Sequence, residues 1–132
     1  MAVSRKLLRH VPGEACSAGT AQTPGMERRA ALSGESVGSE AIWMGETHMQ
    51  PHAQSAPHHH GESESALYIA SGHPTFVFKD GGREVRIRTK PGDYVYVPPF
   101  VPHIESNDSE EQAVVVIARS TQEVIVFNLE GL

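Results

Sequence analysis

From Met26 onward the chain alternates short apolar runs with turn-forming residues. The runs fall at residues 41–44, 66–70, 75–78, 84–88, 94–97, 113–118 and 124–129, and Val, Ile, Tyr, Phe and Thr dominate them. Branched and aromatic side chains suit a pleated, half-buried surface, so each run predicts a strand. Lys79-Asp80-Gly81-Gly82 and Pro91-Gly92 supply turns between them, because Gly and Asp reach turn conformations at little cost and Pro pre-sets its own φ. No window sustains a 3.6-residue apolar period, and no internal repeat is present. Regularly spaced short strands with almost no helix predict an all-β fold, an antiparallel sandwich or small barrel.

Ahead of this region, residues 11–25 hold Pro12, Gly13, Gly19, Pro24 and Gly25 among small residues. That composition predicts an extended or loosely ordered N-terminal arm over residues 1–25 and one barrel domain over 26–132. A chain of 132 residues can bury roughly two-thirds of its unfolded surface and needs no second domain. Eleven basic residues against sixteen acidic ones leave a net charge of −5. No basic face follows a phosphate backbone, which argues against nucleic acid as a partner. The single cysteine, Cys16, cannot form an intramolecular disulfide, and a reducing compartment is expected. The basic opening segment lacks a secretory apolar run, and no stretch reaches transmembrane length, so the expectation is a cytoplasmic protein with no membrane partner.

The chemistry is concentrated in two segments. The first reads Pro57-His58-His59-His60-Gly61-Glu62-Ser63-Glu64; the second runs from Gly92 through Pro98, His103 and Glu105 to Asn107. In a strand, His58 and His60 share a face with α-carbons about 7 Å apart while His59 points away, so two imidazoles can converge on one ion. Metal–nitrogen bonds of about 2.0 to 2.1 Å require further ligands from neighbouring strands. Five of the eight histidines lie between positions 48 and 60, which leaves open whether His48, His52 or His59 contributes, and whether an exposed cluster merely captures metal.

With these two segments the chain resembles the cupin superfamily, over roughly residues 41–132. Gly92, Pro98, His103 and Asn107 meet the spacing of that family's second motif, and Phe100 departs from it where the family usually has glycine. This suggests a different turn there, fixed by Pro99 and Pro102. The resemblance implies a jelly-roll barrel, an antiparallel double-stranded β-helix. It also implies one divalent metal ion, Fe, Mn, Ni or Zn, held by His58, His60, Glu64 and His103. The first motif carries a register conflict. Counted forward from His60 the carboxylate position is Glu64; counted back from Gly72 the inward position is Ser65. Glu64 inward turns Ala66, Tyr68 and Ala70 toward the barrel and leaves Leu67 and Ile69 outside, to be covered by the arm or a second subunit. Ser65 inward reverses this and leaves three histidines; a bulge between Glu62 and Ser65 would reconcile the two. Glu64 is preferred because a carboxylate balances metal charge.

Other residues are candidates for the pocket. Val95 and Val97 are the better inward pair than Tyr94 and Tyr96, and Phe76 and Phe78 share one face. Tyr68 and Glu105 are the candidate catalytic groups, for proton transfer or for orienting a ligand. At most four protein ligands leave a coordination position open. The resemblance then implies a metal-dependent enzyme of the oxygenase or isomerase/cyclase type, acting on an oxygen-rich small-molecule substrate. The alternative is a non-catalytic metal- or ligand-binding module. A homodimer is expected from exposed apolar strand faces.

Overall fold

The computed structural model describes residues 7–20 and 22–132; residues 1–6 and 21 of the expected arm lie outside the described residues. Ten strands lie among those described: β1 (Met26–Leu32), β2 (Trp43–Met49), β3 (His58–His59), β4 (Ser65–Ser71), β5 (Thr75–Asp80), β6 (Arg83–Arg88), β7 (Tyr94–Val97), β8 (Ile104–Ser106), β9 (Ala113–Arg119) and β10 (Phe127–Asn128). All pairings are antiparallel. One sheet has the order β1-β2-β9-β4-β7. The other is assembled from β6-β5-β8 and β10-β3, joined by bridges from Gln54 to Ser106 and from His58 to His103. The architecture is the all-β double-stranded β-helix that the strand pattern and the family resemblance predict.

Side-chain alternation in the large sheet explains where the site sits. Facing rows across its strands read Met49 and Ala113; Thr47, Val115 and Ile69; Gly45, Ile117 and Leu67; Trp43, Arg119 and Ser65. Aliphatic residues fill the first rows, and Met26, Met49, Ile69, Phe76, Ala113 and Val115 form a dry core. The later rows turn polar, so one end of the barrel is packed and the other is built for chemistry.

The register of β4 resolves in favour of Ser65. Leu67 and Ile69 are buried, whereas Glu64, Ala66, Tyr68 and Ala70 are exposed. The preferred register with Glu64 inward is therefore corrected: Leu67 and Ile69 carry far more apolar area than Ala66 and Ala70, and burying them decides which face turns in. The reason that register gave for covering the outer face falls away with it. Val95 and Val97 face the core and Tyr94 and Tyr96 face out, as expected.

Several elements were not legible, β1 and one short helix among them. Strand β1 carries Glu27, Arg28 and Arg29 and lacks an apolar alternation, because its inward Arg28 lines the polar end rather than the core. A single helical turn, α1 (Gly34–Val37), is held by a reciprocal cap between Ser33 and Ser36. The arm is tied to the barrel: Ser17 and Ala30 exchange backbone hydrogen bonds of 2.9 and 2.8 Å. Among the described residues no helix is long and apolar enough to cross a membrane.

Candidate metal centre

Backbone pairing brings the two histidine segments together. His58 and His103 exchange N–H···O bonds of 3.1 and 2.9 Å, which makes them direct cross-strand neighbours with side chains on the same face. His60 lies two residues beyond His58 and Glu105 two residues beyond His103, so both point the same way. The result is a group of His58, His60, His103 and Glu105, each offering one ligand atom, all within 4.8 Å of one another. The three ring centroids are 4.4, 4.8 and 5.1 Å apart.

The backbone also sets the tautomers. Nδ1 of His58 lies 2.7 Å from the Ala56 carbonyl, that of His60 2.8 Å from Ile125, and that of His103 3.0 Å from Val101. A carbonyl accepts only, so in the neutral ring each Nδ1 carries the proton and each Nε2 presents a lone pair to the centre. His103 Nε2 is buried and makes no hydrogen bond. It stands 3.4 Å from Glu105 Oε1, with His58 Nε2 at 3.5 Å. Lone pairs turned toward a carboxylate repel unless a proton or a metal cation sits among them, and nitrogen with carboxylate donors is a set that divalent transition metals accept. The residues present fit such an ion.

The electrostatics of the group differ from ring to ring. Burial pushes the His60 imidazole down to about 4, keeping it neutral and available as a ligand. For His103, burial acts downward, but the Glu105 carboxylate outweighs it and the net displacement is upward. Burial likewise opposes ionisation of Glu105, yet the flanking His103 and His58 hold its carboxyl well below the usual range. A metal needs the carboxylate ionised and the imidazoles neutral, so binding at His103 displaces the proton that Glu105 favours there.

The structure moves two of the expected residues out of the site and one in. Glu64 lies on the exposed face and accepts a 2.5 Å hydrogen bond from the Tyr96 hydroxyl, so the fourth member of the group is Glu105 in its place. Tyr68 is on the same outer face, its ring 5.0 Å from that of Tyr94, remote from any proton transfer at the centre. Glu105, expected to move protons, joins the ligand group. The signal for it was the i, i+2 step from His103, the same step that pairs His58 with His60. Of the remaining histidines, His48 pairs with Glu46 at 3.1 Å and His52 with Glu110 at 2.8 Å. His59 turns outward against Phe127.

The turn ahead of His103 passes through Phe100. Phe100 has φ 61°, the left-handed region that glycine enters freely, so the backbone follows a glycine-type path despite the bulky residue. Its N–H donates to the Gly61 carbonyl at 2.7 Å, tying the two histidine segments together. That bond and the positive φ at Phe100 fix the turn that delivers His103.

Three cavities meet the group. An inner chamber of about 50 Å³ is lined by Arg28, Thr47, His60, Ser65, Glu105 and Arg119, among others. A groove of about 530 Å³ runs along the seam between β1 and β10 and shares Arg28, Glu105 and Val124 with it. On the opposite seam, Phe76, Phe78, Tyr94 and Val101 line an apolar pocket of about 620 Å³ that reaches His103.

No protein of curated function matches the sequence. Among solved structures, the fold is similar to a polyketide cyclase from Streptomyces resistomycificus, with a TM-score of 0.75 and 21% identity over 93% of this chain and 86% of that one. It is similar to an uncharacterised double-stranded β-helix protein from Klebsiella pneumoniae, with a TM-score of 0.68 and 17% identity over 94% and 99% of the two chains. It is also similar to oxalate decarboxylase from Bacillus subtilis, with a TM-score of 0.70 and 20% identity over 83% of this chain. There it spans only 29% of the larger enzyme. The sequence profile described as the cupin domain matches residues 45–119, a span that holds all four members of the group, and the chain belongs to the cupin family.

Proposed function

We propose that the protein is a metal-dependent enzyme of the oxygenase or isomerase/cyclase type, acting on a small oxygen-rich organic molecule at one divalent metal held by His58, His60, His103 and Glu105. The observation that carries this reading is the buried, unpartnered Nε2 of His103 beside two further imidazoles and a carboxylate. When bound, a divalent metal supplies Lewis-acid polarisation of a substrate oxygen.

The chain's own residues do the rest. The carbonyls of Ala56, Ile125 and Val101 hold the imidazoles in one orientation, which limits reorganisation. Among the described residues Glu105 is the only carboxylate lining the inner chamber. Leu67, Val97, Val115 and Ile117 close the chamber on the core side, excluding water and strengthening every charge interaction within it. The groove along the β1/β10 seam gives a substrate its way in. A polyketide cyclase as a structural neighbour that matches most of both chains supports the isomerase/cyclase side of the reading.

The test is metal analysis of untagged protein beside His103→Ala. We expect close to one equivalent of metal in the wild type and loss of most of it in the variant. Equal metal content in the two would remove the proposed centre.

A further inference from the structure

Beyond the metal centre, the inner chamber holds positive charge and polar donors that the ligand group does not use. We infer that it is an anion subsite in which Arg119 and Thr47, aided by Arg28, receive the carboxylate of a substrate whose other oxygens reach the histidine group. The inference rests on the reading just given and names its substrate class: small carboxylates.

Arg119 stands at the inward end of β9, its guanidinium carbon 3.9 Å from the Trp43 ring centroid. Nε donates to the Thr121 carbonyl at 3.0 Å and Nη2 to Gln122 at 2.8 Å. Those bonds lock the fork. A guanidinium has five N–H groups, so most of them have no acceptor among the described residues. Among the described residues no carboxylate forms an ion pair with Arg119, and Glu105 is the one carboxylate lining the same chamber. Burial, with Arg28 second, pushes Arg119 down to about 10, the direction expected of two cations sharing a poorly hydrated space.

Thr47 adds an independent sign. It is 3% exposed, and its Oγ1 has no hydrogen-bond partner. A buried hydroxyl without a partner costs about 1–3 kcal/mol unless something satisfies it. Thr47 and Arg28 are direct cross-strand neighbours, and both line the chamber that Arg119 lines. The chamber's volume of about 50 Å³ suits a carboxylate-sized group, since one water's share of liquid volume is about 30 Å³. Arg28, whose Nη1 also donates to Thr23 Oγ1 at 2.9 Å, brings a second guanidinium to the lining. A planar anion that accepts two parallel N–H bonds satisfies the fork best.

The experiment titrates malonate and its neutral diamide, malonamide, into wild type, Arg119→Gln and Thr47→Val by calorimetry, with Mn(II) loaded and stripped and metal content measured in each sample. We expect malonate to bind the loaded wild type, malonamide not to bind, and Arg119→Gln to weaken malonate about tenfold or more with metal content unchanged. Thr47→Val, equal in shape, should weaken it several-fold. Should Gln at 119 disturb the fold, Arg119→Lys keeps the charge without the fork and should still lose several-fold. Full metal content with malonate binding equally to wild type and the Arg119 variants overturns the subsite and leaves the metal centre standing. Failure of Mn(II) to load while malonate still discriminates against Arg119→Gln overturns the metal reading and leaves the subsite.

Discussion

Replacing Glu105 by Gln keeps the shape and one acceptor oxygen but removes the only negative charge among the four grouped side chains. Glu64→Gln makes the same change on the exposed face, where among the described residues the carboxylate meets only the Tyr96 hydroxyl. Groups that merely orient a metal ligand already contribute about 10–100-fold to affinity, so loss of a charged ligand should weaken metal binding by at least about 100-fold. At a fixed excess of metal, that removes about 2.7 kcal/mol of ligand-dependent stabilisation. A 132-residue domain has an unfolding entropy that converts this into a drop of about 10 °C in the metal-dependent rise of Tm. Thermal scans with and without Mn(II), alongside a competitive chelator titration, measure it directly. Glu64→Gln should stay within about twofold of wild type in affinity, since an exposed polar contact of this kind contributes little. A larger loss from Glu64→Gln than from Glu105→Gln would refute the assignment.

Other expectations follow from the same geometry. Phe100→Gly and Phe100→Ala both delete an exposed ring, but only glycine is at ease at φ 61°, so the glycine variant should be the more stable by about 1 kcal/mol; denaturation midpoints that coincide would contradict the strain. His60 has a folded pKa lowered to about 4, so between pH 6.5 and 4 the unfolded chain binds the extra proton and metal-free stability falls by about 3 kcal/mol. His60→Asn should flatten that part of the pH–stability curve, and parallel curves would dismiss the cause. A methyl group on Gly45 would lie 2.2 Å from the Arg29 carbonyl and 2.7 Å from the Trp43 ring. Gly45→Ala should therefore cost at least about 2 kcal/mol and shift the emission of Trp43, the single tryptophan; unchanged emission and stability would count against that contact.

The strands 66–70, 75–78, 94–97 and 113–118 could be read from the residues because each carries a short run of branched or aromatic side chains, part of it buried in the core. His58, His60 and His103 could be read because two short local spacings carry them. Tertiary structure alone decided what depends on non-local pairing. The hydrogen bonds between His58 and His103 place Glu105 beside the imidazoles, while burial of Leu67 and Ile69 turns Glu64 to the outside. Arg28 and Arg119 meet in one chamber although they are far apart along the chain. Their strands show a weak apolar pattern there because the site takes inward positions that the core would otherwise fill. Periodicity reports which face a residue takes; only strand order and register determine which residues share that face across the barrel.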